Sequence, residues 1–265
     1  TGLIFPSRSG FTRLLLLSAD KLTCFCATTI VAESKGVLNE LLLESVPCSD
    51  IRIIGSGNIA GVDENDFVPA PLNYKRIARF KFGIPSDAFV FCYVGRLNSE
   101  KGICDLVNAF KHLEGNTYLI LAGGLDQSSP LHPETLALID SIPNILALGQ
   151  VDDVKTVFAA SDVNVLVSYR EGFPNVLLEA CSMGIPSIAT DVNGSREVIC
   201  DAQTGWLVPI KNELAIFDAM ISCMKDKDKI LFYGNNCREL IIKKYTRSHY
   251  LECILEFYKK FDVID

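Results

Sequence analysis

Two glutamates with seven residues between them, Glu171 and Glu179, stand in the run Tyr169-Arg170-Glu171-Gly172-Phe173-Pro174-Asn175-Val176-Leu177-Leu178-Glu179-Ala180. Pro174 fits the first turn of a helix, where its missing N–H would be unpaired in any case. The preceding turn, from Glu171 to Phe173, then presents backbone N–H groups and a positive helix end, a natural seat for an anion. Carboxylates at both positions suit sugar hydroxyls, because each oxygen accepts hydrogen bonds in a defined direction. A second run, Val94-Gly95-Arg96-Leu97-Asn98-Ser99-Glu100-Lys101-Gly102, sets two cations between glycines that permit close backbone approach. Arg96 and Lys101 are the charges a diphosphate would seek. Taken singly, each run also has a plainer reading: Glu171 as a partner of the helix dipole, Glu179 as a solvated surface carboxylate, and 95–102 as an ordinary charged loop.

The elements that must position these residues can be read from periodicity. Short apolar runs rich in β-branched residues at 88–94, 118–122, 144–148, 163–167, 186–190 and 206–208 predict strands, and amphipathic stretches at 104–113, 153–160 and 176–183 predict helices between them. Strand and helix in alternation predict an α/β fold with a doubly wound parallel sheet. Ligands of such sheets bind beyond the carboxyl ends of the strands, which gives weight to 95–102, 123–129, 149–152, 169–175 and 191–195. The first 63 residues differ. They predict a helix around 12–20, a short run at 28–32, a helix from about 35 to 44 capped by Ser34, and a strand at 51–54, too few strands to close a sheet. We therefore expect an incomplete second domain at 1–63, a linker at 64–82 containing Pro69 and Pro71, a principal domain at 83–244, and a C-terminal helix at 245–265.

Composition narrows the classes of partner. The chain has 265 residues, 49% of them hydrophobic and 22% charged, and a net charge of −7, which argues against a nucleic-acid backbone as partner. Ten cysteines lie mostly within apolar runs, as expected of small core residues in a reducing cytosol, and Cys24-Phe25-Cys26 lacks the second pair a zinc site needs. His112, His132 and His249 have no spacing that suggests a triad or a metal site. No apolar run approaches the roughly 20 residues that span a bilayer.

Together the motifs resemble the family-four retaining glycosyltransferases of the GT-B fold, whose hallmark is an E-x7-E motif opening with EGFP or EGLP. The resemblance covers residues 88–208 in five ordered matches: the GRL-x-x-EKG loop at 95–102, Ala159-Ala160-Ser161-Asp162, Glu171 to Glu179, the run from Ala189 to Ile199, and Gly205-Trp206-Leu207-Val208. It implies that Arg96 and Lys101 neutralise the donor diphosphate, that Glu171 contacts the donor sugar, and that Glu179 holds the ribose. Backbone amides near Phe173 to Val176 would help to hold phosphate or sugar oxygens, and the base would sit by the loop at Gly149 to Val151. The full set of residues implied at the donor site is Gly95, Arg96, Lys101, Gly123, Gln150, Val151, Glu171, Gly172, Phe173, Pro174, Asn175, Val176 and Glu179, with Glu171, Arg96 and Lys101 closest to the chemistry. The implied activity is transfer of a sugar, most simply from a UDP-sugar, to a glycan or lipid-linked acceptor of a cell-surface polysaccharide. The implied site needs no cofactor and no metal, and the Asp226-Lys227-Asp228 run lies far from these loops. The resemblance implies a cytoplasmic protein and admits peripheral contact with the inner face of the membrane. The segment 55–63 resembles a loop often written Asn-Gly-Val-Asp, with Ala60 in place of Asn. The last helix often crosses back to the N-terminal domain in this fold. A second reading remains: a module that binds a nucleotide sugar without turning it over, because the acceptor half is missing.

Overall fold

In the computed structural model, the described residues are 3–5, 9–46, 50–58 and 60–260. Six parallel strands form the main sheet: β3 (Phe89–Val94), β4 (Thr117–Ala122), β5 (Ile145–Gly149), β6 (Val163–Leu166), β7 (Ser187–Thr190) and β8 (Gly205–Val208), in the order β5-β4-β3-β6-β7-β8. The chain winds outward from β3 in one direction, returns to β6 beside it, and winds outward in the other. The strand alternation expected from sequence is present, with each predicted strand within one or two residues of its observed position.

The strand interior is apolar on both faces, as a sheet covered twice requires. Along β3, Phe91 and Tyr93 enter one core with Leu106, Leu119 and Leu177, while Val90 and Cys92 enter the other with Ala78, Ile120 and Phe158. The first core lies beneath α4 (Ile103–Phe110), α9 (Glu213–Lys225) and α10 (Lys227–Lys244); α6 (Val154–Ala160) covers the second. Helix α7 (Asn175–Ser182) contributes Leu177, Leu178 and Cys181 to one core and Ala180 to the other.

The stretch read as a linker holds a helix, α3 (Leu72–Lys81). Its four basic residues and exposed Leu72, Ile77 and Phe80 obscure an apolar stripe, yet it is anchored through charge. The Nζ of Lys75 and a guanidinium nitrogen of Arg79 each lie 2.7 Å from the Asp162 carboxylate. Helix α5 (Pro133–Ser141), absent from the sequence reading, begins at Pro133, which occupies a position in the first turn.

Before residue 63 the described residues form α1 (Gly10–Cys26), β1 (Ile30–Val31), α2 (Lys35–Leu43) and β2 (Ile51–Arg52), with β1 and β2 parallel. Ser34 caps α2 by accepting a hydrogen bond from the Val37 N–H at 3.1 Å. These elements share a small core of their own around Leu17, Val37 and Leu41. Helix α11 (Arg247–Lys259) follows Thr246. Its Cys253 lies against Gly55, where an added Cβ would meet the sulfur at 3.1 Å. Asp226 caps α10 by accepting from the Lys229 N–H, and among the described residues no three His, Cys, Asp or Glu side chains converge as a metal site. No helix among them is long and apolar enough to cross a membrane.

Candidate active site at the sheet's switch point

Strands β3 and β6 are neighbours from which the chain departs in opposite directions, and the loops at their carboxyl ends part to leave a crevice between them. One loop carries Gly95 to Gly102 and the other Val167 to Pro174. They meet in a cleft of about 390 Å³ lined by Gly95, Arg96, Lys101, Glu171, Gly172, Phe173, Pro174, Asn175 and Val176, together with Tyr93 and Glu33. Two runs seventy residues apart in sequence therefore face one space.

Local chemistry fixes both loops. Asn98 accepts from the Lys101 N–H at 2.9 Å and starts a single 3-10 turn, Ser99–Lys101. Gly102 then turns left-handed at φ +69°, where a Cβ would stand 2.1 Å from the Val167 carbonyl oxygen, so only glycine lets the two loops touch. The Glu100 carbonyl accepts from the Tyr169 N–H at 2.9 Å, and the Glu100 side chain pairs with Arg170. Lys101 Nζ is thereby delivered 2.6 Å from Glu171 Oε1, with the two side chains 24% and 11% exposed. Arg96 is 68% exposed and its guanidinium lies 2.6 Å from Asp126, on the loop after β4. Each cation of the cleft thus has a carboxylate partner.

Glu179 follows Asn175 by one helical turn and so lies on the same face of α7, deeper along the helix than the cleft mouth. Burial pushes its carboxyl up to about 7. A raised carboxyl favours the protonated folded state: stability is greatest below about pH 4.5, falls as the unfolded chain ionises, and levels off above about pH 7. Glu179→Gln is accordingly expected to leave the unfolding free energy measured in urea nearly unchanged at pH 4.5 and to raise it at pH 8 by on the order of 1–2 kcal/mol, with a higher midpoint there. Equal midpoints at pH 8 would show that the carboxylate is solvated.

Gly123, Gln150 and Val151 do not line the cleft. Gly123 (φ +153°) lies beneath it: a Cβ there would stand 1.8 Å from the Gly95 carbonyl oxygen, and its N–H donates to Gly149 at 2.7 Å. Gln150 is exposed and Val151 half-buried on the neighbouring loop.

Glu33 was not reached by sequence reasoning, and Asp126, although within the weighted loop 123–129, was given no role there. Glu33 comes just beyond β1, so the carboxyl-end rule would have selected it had a two-residue strand been weighed as one. Its carbonyl accepts from the Asn58 N–H at 2.7 Å, and Asn58 Nδ2 donates to Asn175 at 2.6 Å, tying the N-terminal segment to the mouth of the cleft. Phe173 packs on Tyr245 with ring centroids 5.5 Å apart. On the far side, Gly194 (φ +73°) allows the loop after β7 to lie against Gly172 and Phe173.

A doubly wound sheet with paired cations, a carboxylate and a helix N-terminus at its switch point defines an α/β domain suited to an anionic, hydroxylated ligand. Residues 75–242 match the family described as Glycosyl transferases group 1, and the chain belongs to that family. It is similar to the capsular polysaccharide biosynthesis glycosyltransferase CapM of Staphylococcus aureus, 26% identical over 98% of this chain and 69% of CapM. It is also similar to the UDP-Gal:alpha-D-GlcNAc-diphosphoundecaprenol alpha-1,3-galactosyltransferase of Escherichia coli, 27% identical over 75% of this chain but only 52% of the relative. Among solved structures, Anabaena HepE in complex with UDP and glucose superposes with a TM-score of 0.84 at 21% identity, covering 96% of this chain and 69% of HepE, which is a likeness of fold. The chain thus spans between about half and about two thirds of the length of these proteins.

Proposed function

We propose that this chain binds the donor of a retaining glycosyltransferase, which moves a hexosyl group from a nucleotide diphosphate, UDP in the first instance, to a glycan or lipid-linked acceptor of a cell-surface polysaccharide. The observation that carries the reading is the convergence of Arg96, Lys101, Glu171 and the N-terminus of α7 on one cleft. The relatives' polysaccharide and UDP-galactose names support it. The diphosphate occupies the space among Arg96, Lys101 and the turn at Glu171 to Asn175; Glu179 takes the ribose and Glu171 the transferred sugar. Departure of the sugar builds positive charge at the anomeric carbon and negative charge on the diphosphate. Cations and backbone N–H groups fixed in advance stabilise that leaving group without a metal. The working protein is cytoplasmic, in peripheral contact with the membrane where its acceptor is lipid-linked.

Residues 83–244 form the donor-binding domain, 1–63 belong to the acceptor side, and the C-terminal stretch from 245 to 260 reaches back to it, 261–265 lying outside the described residues. Glu33 is placed where the acceptor side meets the donor. Among the described residues before 63 the only sheet has two strands, too few to build an acceptor site and close out water. The 265-residue chain is therefore expected to bind UDP with little or no sugar transfer, and a longer chain of the relatives' length to do both. The two are compared at equal concentration in a radiolabelled transfer assay. Equal turnover would show that residues 1–63 complete a working site.

A further inference from the structure

The loops after β3 and β4 are joined edge to edge beyond the ends of their strands. The Leu97 N–H donates to the Gly124 carbonyl at 2.9 Å and the Asp126 N–H to the Leu97 carbonyl at 3.0 Å, so Asp126 is carried to the rim of the cleft by the backbone itself. Its carboxylate is then held from several sides. One oxygen accepts from the Ser128 N–H at 2.9 Å and the Ser128 hydroxyl at 2.7 Å; the other accepts from Asn98 Nδ2 at 3.0 Å and from one guanidinium nitrogen of Arg96 at 2.6 Å. The Asp126 side chain is 13% exposed, against 68% for Arg96. A fixed anion therefore tethers a cation that solvent would otherwise leave to wander.

We propose that Asp126 is a positioning residue for the donor diphosphate: it holds one arm of the Arg96 guanidinium and leaves the other arm facing the cleft for a phosphate oxygen. This rests on the reading of the cleft as a nucleoside diphosphate site. A guanidinium is suited to the task because its planar fork accepts two partners at once in fixed directions. Two carboxylates beside two cations here act in opposite senses. Among the described residues Glu171 accepts from Lys101 and from no second donor, and it competes with the phosphate. Asp126 is immobilised by Ser128 and Asn98, stays on Arg96 when ligand arrives, and organises the cation for it. The hydrogen bonds from Ser128, then that from Asn98 and the charge of Arg96, hold the Asp126 carboxyl down at about 2, so the tether persists across the working pH range.

The test uses the 265-residue chain and two readouts. Titrations with UDP and with uridine are run on the native chain, Asp126→Asn, Arg96→Ala and the double variant. Nitrogen-detected NMR of the Arg96 Nη–H groups, one of which donates to Asp126, reports the tether directly when run without ligand. Asp126→Asn is expected to weaken UDP binding about 5- to 20-fold, to leave uridine unchanged, and to have no further effect once Arg96 is alanine. The Arg96 Nη–H signals should be separate in the native chain, where one nitrogen is held by Asp126, and should average together in Asp126→Asn. Should Asp126→Asn not fold, Ser128→Ala, which removes one of the bonds that fix the carboxylate, is expected to give a smaller loss in the same direction. Tighter UDP binding by Asp126→Asn, or a loss that persists in the Arg96→Ala background, overturns the positioning role. An Arg96→Ala variant that binds UDP as the native chain does would instead remove the diphosphate reading, while the NMR comparison would still decide whether Asp126 holds Arg96.

Discussion

Lys101→Ala is expected to weaken UDP binding by about 10- to 100-fold while leaving uridine binding within about twofold. The reason lies in the pair that Lys101 forms with Glu171. Removing the ammonium takes away one charge-assisted contact to the diphosphate, and it also leaves the 11%-exposed Glu171 carboxylate unpaired at the place where the phosphates arrive. Two anions would then meet without a cation between them, so the loss exceeds that of a single surface contact. The complementary variant has the opposite sign. In Glu171→Gln the half-buried Lys101 loses its resident counter-ion, and a diphosphate supplies the missing charge without displacing anything, so UDP binding should tighten by a few-fold. That variant should also lose preference for a UDP-sugar over UDP, because the group released to meet the sugar no longer carries charge. Isothermal titration with uridine, UDP and a UDP-sugar separates these effects. Weaker UDP binding by Glu171→Gln, or equal losses of uridine and UDP in Lys101→Ala, would overturn this account of the pair.

Gly123→Ala is expected to cost the fold about 3 kcal/mol or more, a fall in Tm on the order of 10 °C, whereas Gly124→Ala should cost under about 1 kcal/mol. At Gly123 two penalties coincide: a φ of +153° and a Cβ that would stand 1.8 Å from the Gly95 carbonyl oxygen, a backbone atom that yields only if the β3 and β4 loops separate. Gly124 has neither, since nothing lies within 4 Å of its Cβ position. Thermal melts of the two variants at one pH make the comparison. Similar Tm values would mean that the loops after β3 and β4 yield without cost. The Gly123 variant should also bind UDP more weakly than its stability alone accounts for, because Arg96 follows Gly95 directly.

The sequence made the strands legible because each is a short apolar run closed by glycine or charge, and the doubly wound order follows from their alternation with helices. It also made the cleft legible at Arg96, Lys101 and Glu171, since glycines and charge after a strand mark the carboxyl edge of a parallel sheet. Helix α3 was not legible: its buried face is held by Lys75 and Arg79 on Asp162, and charge at core-facing positions defeats a rule based on apolar spacing. Glu33, and the role of Asp126 within the weighted loop 123–129, escaped for another reason. Each matters through a partner distant in sequence, Asn58 and Asn175 in one case and Arg96 in the other, and no local pattern encodes such pairings. Gly123 resembled a ligand-facing glycine because close approach of backbone to backbone leaves the same trace as close approach of backbone to phosphate.

The crossing between the N-terminal segment and the main sheet has a mechanical meaning. The chain passes from one to the other at Val62 and comes back at Thr246, and the two passages lie side by side: the Val62 N–H donates to the Tyr245 carbonyl at 2.9 Å and the Arg247 N–H to the Val62 carbonyl at 2.8 Å. Gly61 makes this possible, since a Cβ there would stand 2.6 Å from the Thr246 carbonyl oxygen. Two strands of covalent chain bound together act as one pin. Further ties among the described residues include Asn58 to Asn175, the Gly36 N–H to the Glu197 carboxylate at 3.1 Å, and the close approach of Gly36 to Asn193 and of Gly57 to Phe173. The position of Glu33 against the cleft therefore depends on residues 61–62 and 245–247, which hold the N-terminal segment to the sheet without lining the cleft themselves.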